Sequence, residues 1–285
     1  MYPPKFDYYK AGSVAEAISL LKQHSGAKVL AGGHSLIPVM NLRLSDPGTL
    51  IDIGRVSELK GISKQGNSVR IGALTTHAMI AASADVPTVL SEAAGMIGDP
   101  QVRNRGTIGG NIAHADPASD LPTVLTALGA TIHVTGPGGN RTIAATNFFT
   151  GLFATALSEG EIVTAIEVPA AGSGTGSAYA KLFNPASRYA MVGAAAVVTV
   201  SGGKCTAAGV AVGGLTPSAT KASSVEAALV GKSLDEATLA AAAEAVHNDL
   251  GGEIIGDIHA SADYRKSMAP VYVKRALTAA VQRAK

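Results

Sequence analysis

The feature that most constrains this chain is a pair of glycine motifs of one form. Ala31-Gly32-Gly33-His34-Ser35 and Thr107-Ile108-Gly109-Gly110-Asn111 each place adjacent glycines beside a hydroxyl residue. Consecutive glycines can turn successive backbone N–H groups toward one point with no Cβ in the way, and the Ser or Thr hydroxyl adds a donor. Two such loops facing each other could hold a pyrophosphate, and a side chain at Gly109 or Gly110 is expected to intrude on it. A single glycine pair reads more readily as a tight turn after a strand. Neither motif is a G-x-G-x-x-G or a phosphate loop with its lysine, so the common nucleotide folds do not account for them.

Helix and strand patterns surround the motifs. Ser13-Val14-Ala15-Glu16 has the form of a capping box, and Val14, Ile18 and Leu21 then share one helical face. Gly26 stops that helix, and Lys28 to Ala31 reads as a strand running into the first glycine motif. Strands are expected at 50–53, 69–73, 130–135, 141–144 and 161–169, with helices after Thr75-Thr76-His77 and over 87–97. The polar, glycine-rich stretch 101–120 reads as a long loop with a function.

Gly172-Ser173-Gly174-Thr175-Gly176 reads as a linker. It divides the chain into residues 1–172, in two parts of about 1–55 and 56–172, and residues 177–285. The second region is expected to be α+β, with strands at 194–200 and 207–213, a helix capped by Ser233, and a helical stretch over 262–284 kinked or divided by Pro270.

Composition limits the chemistry. The one cysteine, Cys205, cannot supply the thiolates of an iron-sulfur cluster or a Cys-rich zinc site, so redox chemistry on this chain requires an organic cofactor. With 23 Lys+Arg against 21 Asp+Glu and no basic block, nucleic acid is not an expected partner. The longest weakly polar run, 189–200, is too short to cross a bilayer, and the N-terminus lacks the apolar core of a signal peptide, so the cytoplasm is the expected location. His34, His77 and His114 lie in or near the glycine motifs without metal-ligand spacing, and no metal is assigned.

Asp116 and Asp120 suit a turn and a helix cap, and equally suit acceptance from ligand hydroxyls. Lys181 and Tyr189 lie near Phe183 in a chain that is only 4% aromatic; stacking on a flat ring and ordinary core packing both remain open. No Ser-His-Asp order, carboxylate pair or C-x-x-C marks a complete catalytic centre.

At these residues the chain resembles the flavoprotein subunits of the xanthine dehydrogenase family of molybdenum hydroxylases, including the medium subunits of aerobic carbon monoxide dehydrogenases. The resemblance runs through Phe6-Asp7-Tyr8, the stretch from Leu30 to Pro38, Asp99-Pro100-Gln101-Val102-Arg103, and Gly106 to Asn111. It continues through Asp116-Pro117, Asp120-Leu121-Pro122 and the stretch from Ser201 to Cys205. It implies an α+β chain: an FAD-binding fold of the vanillyl-alcohol-oxidase (PCMH) type in two subdomains, then a C-terminal α+β domain with a small antiparallel sheet and helices.

The resemblance also implies roles for residues. The FAD pyrophosphate falls on Ala31, Gly32, Gly33, His34 and Ser35, with Leu36 beside them, and on Thr107, Ile108, Gly109, Gly110 and Asn111. Asp120 contacts the ribityl region, Val163 the adenine-proximal side through its backbone, Lys181 the flavin, and Tyr189 lies over the isoalloxazine ring. Asn184-Pro185-Ala186-Ser187 departs from the more basic stretch of the family.

Substrate chemistry would sit on a large subunit carrying the molybdopterin cofactor. Electrons would pass through two [2Fe-2S] clusters of a small subunit to the FAD here and on to a quinone or other acceptor, in a dimer of heterotrimers. No catalytic residue is then expected on this chain, and the complex could attach to the inner face of the cell membrane. Carbon monoxide is the leading substrate, with an aldehyde, nicotinate or purine as alternatives. A stand-alone flavin oxidase and a scaffold that has lost FAD are the other readings.

Overall fold

The computed structural model describes residues 2–284. The chain begins with a three-stranded parallel sheet, β1 (Asp7–Lys10), β2 (Lys28–Leu30) and β3 (Thr49–Asp52), in the order β1-β3-β2. Helix α1 (Val14–Gln23) connects β1 to β2, and α2 (Leu36–Asn41) follows the first glycine motif. Ser13 accepts from the Glu16 N–H at 3.1 Å, and the Glu16 carboxylate reaches back to the N–H of Gly12 at 2.7 Å. The first bond satisfies a donor that the helix itself leaves open, and the second ties the residue before the cap to the first turn.

The middle of the chain is a five-stranded antiparallel sheet of β4 (Ile62–Gln65), β5 (Ser68–Gly72), β6 (Thr131–Gly136), β7 (Gly139–Ala144) and, after a short hairpin of β8 (Phe149–Gly151) and β9 (Ala154–Thr155), β10 (Ile162–Pro169). The order is β4-β5-β10-β6-β7, so β10 inserts between strands that are distant in sequence. The long crossover between β5 and β6 carries α3 (His77–Ala81), α4 (Thr88–Met96), α5 (Pro100–Arg105), α6 (Ile108–His114) and α7 (Asp120–Ala127), and α8 (Ala145–Phe148) follows β7.

The stretch 101–120 is therefore two short helices and a turn, not a long loop. Pro100 opens α5 at a position where no N–H is needed, and Thr107 caps α6 by accepting from the Gly110 N–H at 3.2 Å. The glycines of α6 hide its helical character from a propensity reading.

A four-stranded antiparallel sheet closes the chain: β11 (Thr175–Phe183), β12 (Ala190–Ser201), β13 (Lys204–Gly213) and β14 (Thr220–Lys221). Helices α9 (Ser223–Leu229), α10 (Glu236–Glu244) and α11 (Ala262–Arg283) cover one face. The sheet is buried on both sides. Ala178, Ala194, Ala196, Val210 and Val212 join the core under its own helices, while Tyr179, Ala195 and Ala211 join the core formed with the preceding helices. Alternate residues thus feed two cores, which is why this region reads as a continuous apolar run.

Three local expectations change. A Cβ on Gly176 would lie 2.0 Å from the Ala280 carbonyl oxygen of α11, so this end of the glycine run is packed strand, not free linker. Asp235, not Ser233, caps α10, accepting from the Thr238 N–H at 2.7 Å. Pro270 lies buried within α11, which runs unbroken from Ala262 to Arg283, held against the sheet by Ala269, Val273, Ala276 and Leu277.

Candidate functional site

A cavity of about 760 Å³ runs between the three-stranded sheet, the helical crossover and the loop joining β11 to β12. The first glycine motif with Leu36 forms one wall, Gly106, Thr107 and Gly109 to Asn111 another. Asp120, Val163 and Tyr189 also line it. Of the residues to which the resemblance assigns FAD contacts, two do not; nor does Asp116, whose carboxylate accepts from the Ala118 N–H in a turn. Ile108 is fully buried in the main core, where it anchors the start of α6. Lys181 is buried behind Asp120, and its ammonium donates to the Asp120 carboxylate at 2.7 Å and to the Met96 carbonyl at 3.3 Å.

The motifs lock against each other through absent side chains. A Cβ at Gly32 would lie 2.1 Å from the Arg105 carbonyl oxygen, just before the second motif. Gly33 has φ +75, a conformation that favours glycine and lets the chain turn from β2 toward α2. A Cβ at Gly109 would meet the Cβ of Ala73 at 2.5 Å and its carbonyl oxygen at 2.8 Å. Gly109 is therefore required by packing against Ala73 at the end of β5, before any ligand is considered. Gly110 does face the cavity, although a Cβ there would come within 2.9 Å of the Thr107 hydroxyl.

Their hydrogen-bonding states differ. Among the described residues, the N–H groups of Gly32, Gly33, His34, Ser35 and Leu36 have no protein acceptor, and the Ser35 hydroxyl caps nothing. In the second motif Ile108 donates to Thr75, Gly109 to Ala73, and Asn111 to the Thr107 carbonyl. Ser119 donates to the Asn111 side-chain oxygen at 2.8 Å, tying this motif to the start of α7.

Electrostatics are concentrated at Asp120. Its side chain is 5% exposed and that of Lys181 3%. Burial pushes the Asp120 carboxyl up, and the Lys181 ammonium and Tyr179 hydroxyl oppose that shift. Tyr179 donates to Asp120 at 2.7 Å, and burial followed by the Asp120 charge keeps this phenol protonated. Burial, with Asp116 and Asp120 nearby, likewise raises Tyr189. His77 lines the cavity with its Nδ1 buried and unpartnered; burial, reinforced by His34, lowers its pKa to about 4.

Tyr179 was missed by the sequence reading. The available signal was its spacing of two from Lys181, which puts both on one face of a strand.

Comparison with known proteins now separates the possibilities. Residues 4–171 match the family described as the FAD binding domain in molybdopterin dehydrogenase, and residues 177–280 match the CO dehydrogenase flavoprotein C-terminal domain. The chain belongs to this flavoprotein family. It is 43% identical over 284 residues to the carbon monoxide dehydrogenase medium chain of Hydrogenophaga pseudoflava, covering 98% of each chain. The 6-hydroxypseudooxynicotine dehydrogenase complex subunit alpha of Paenarthrobacter nicotinovorans is 39% identical, covering 100% of this chain and 97% of the relative.

Among solved structures, carbon monoxide dehydrogenase from Hydrogenophaga pseudoflava superposes with a TM-score of 0.95 at 45% identity, covering 99% of each chain. Quinoline 2-oxidoreductase from Pseudomonas putida 86 does so with 0.93 at 35% identity, covering 100% of this chain and 99% of that one. The expected α+β fold, an FAD-binding part followed by the flavoprotein C-terminal part, is the fold of this family.

The residues present fit FAD. The cavity has the size of a cofactor site. The unpaired N–H groups of one wall suit an anionic group, and the buried carboxylate of Asp120 is an acceptor for hydroxyls. No helix among the described residues is long and apolar enough to cross a membrane, and no cluster there has the ligands of a metal site.

Proposed function

We propose that this chain is the FAD subunit of a molybdenum hydroxylase that oxidises carbon monoxide, and that FAD occupies the cavity between the glycine motifs. The observation that carries the reading is the run of five backbone N–H groups, Gly32 to Leu36, without protein acceptors at the cavity wall. Such a run is an anion cradle, and the pyrophosphate is the anionic part of FAD. Gly110, the Thr107 hydroxyl and the Asn111 side chain face the pyrophosphate from the opposite wall. Asp120 accepts from ribityl hydroxyls, the Val163 backbone borders the adenine-proximal side, and Tyr189 covers the ring.

Bound flavin supplies an acceptor that takes electrons one at a time and passes on one or two. The chain's part is to orient it, exclude water from the pyrophosphate and leave one edge open. Lys181 acts on the site through Asp120. The FAD domain comprises residues 1–172 and the C-terminal domain residues 177–285. The partners are a small subunit with two [2Fe-2S] clusters and a large molybdopterin subunit, in a cytoplasmic dimer of heterotrimers that attaches to the membrane only through the complex. A quinone or another electron acceptor takes the electrons from the flavin.

The substrate assignment is supported by identity to two carbon monoxide dehydrogenase medium chains, 43% and 41%. The identity of 39% to a pseudooxynicotine enzyme subunit favours an N-heterocycle as the second reading.

Purification of the native complex, with its visible spectrum and dye reduction measured on carbon monoxide, aldehyde and N-heterocycle, tests both. Flavin and iron-sulfur bands with carbon monoxide activity are expected. The same bands with activity only on a heterocycle would transfer the role to the second reading, and a protein without flavin would end both.

A further inference from the structure

The buried carboxylate at the cavity wall is held by groups that the cavity itself does not contain. Asp120 begins α7, while Tyr179 and Lys181 stand on β11, and the two β11 residues take one carboxylate oxygen each: Tyr179 Oη donates to Oδ1 and Lys181 Nζ to Oδ2, both at 2.7 Å. The approach depends on glycines in the neighbouring strands. A Cβ at Gly193 would lie 2.3 Å from the Tyr179 hydroxyl, and one at Gly213 would lie 2.0 Å from the Thr123 hydroxyl of α7. Gly193 and Gly213 are directly paired across β12 and β13, so together they open one gap through which α7 and the Tyr179 hydroxyl come close.

We propose that Tyr179, which does not line the cavity, is a positioning residue for cofactor binding: admitted by Gly193, its hydroxyl fixes the rotation of the Asp120 carboxylate, leaving the remaining lone pairs for ligand hydroxyls. The inference rests on the reading that FAD occupies this cavity. Lys181 alone supplies the countercharge but leaves the carboxylate free to turn about its own axis. The second donor removes that freedom before the ligand arrives, so less ordering remains to be done on binding. Gly193 belongs to the same device, because alanine there drives the phenol hydroxyl away from Oδ1 without touching the cavity.

The test uses the full chain freed of flavin, titrated with FAD by flavin fluorescence and with ADP by calorimetry, for wild type, Tyr179→Phe, Gly193→Ala and the double variant. ADP retains the pyrophosphate but lacks the ribityl chain assigned to Asp120. Tyr179→Phe is expected to weaken FAD binding about tenfold, the scale of a hydrogen bond to a charged group, and to leave ADP within about twofold. Gly193→Ala should do the same, and the double variant should lose no more than either single variant, since both remove one contact.

Equal losses for FAD and ADP, additive losses, or wild-type FAD affinity in Tyr179→Phe would each overturn the positioning role. A wild-type chain that binds ADP but not FAD, or neither, would overturn the cofactor reading and this inference with it. Thermal unfolding of each flavin-free variant ensures that the titrations compare folded protein.

Discussion

In the first glycine motif the N–H groups of Gly32 to Leu36 have no protein acceptor, whereas in the second the N–H groups of Ile108 to Asn111 are satisfied by Thr75, Ala73 and Thr107. The motifs look alike as strings of residues and both line the cavity, yet one leaves its backbone donors open there and the other spends them on the fold. Gly109 shows the reason: its missing side chain makes room for the backbone of Ala73, so the motif is glycine-rich because α6 packs tightly on the end of β5. Similar local composition therefore serves two demands, access for a ligand and close approach of backbone.

The largest way to break the comparison is to charge the residue that seats the second motif. His77 donates its backbone N–H to Gly106, its ring packs on Gly106, and its pKa is lowered to about 4 by burial. The unfolded chain is then the tighter proton binder. Stability is complete above pH 6.5 and falls as pH drops toward 4, by about 3 kcal/mol from this residue. Urea unfolding of flavin-free protein at pH 7 and pH 4.5 should show this slope in the wild type and a shallower one in His77→Gln; equal slopes would remove His77 from the account.

A smaller effect is expected from Gly109→Ala. The added methyl must displace Ala73, at a cost of about 2 kcal/mol in stability even with no flavin present. An unchanged melting temperature with lost flavin would instead place Gly109 against the ligand.

The smallest effects sharpen the contrast. Thr107→Ala removes a helix cap and should cost about 1 kcal/mol of stability. Ser35→Ala removes a hydroxyl that caps nothing, so it should leave the melting temperature unchanged and weaken FAD binding about fivefold. If Ser35→Ala destabilised the flavin-free chain instead, the two motifs would be alike after all.

Much of this was legible in the residues. The helix opened by Ser13 and Glu16, the strands at Leu50, Val69, Ile132 and Ile166, and the first glycine motif after β2 follow from capping chemistry, alternation and turn residues, all of which act over a few positions. The helix at 108–114 was hidden because Gly109 and Gly110 are poor helix formers, and tertiary packing outweighs their propensity; the one at 100–105 was hidden because its six mostly polar residues bury no apolar face. Of the two outcomes expected at Pro270, a kink or a division, the division does not occur, since the buried face of α11 holds the helix through it.

The sequence by itself determined the strand and helix alphabet, the two glycine motifs, the need for an organic cofactor in a chain with one cysteine, and the family. Only the tertiary structure decided which motif keeps its donors free. It alone brought Asp120 to Lys181, 61 residues away, with Tyr179 beside them. Local patterns record what a residue needs from its neighbours in the chain. Satisfaction of a buried N–H or carboxylate depends on what the fold packs against it, and that partner is set by strand order and close approach, not by spacing.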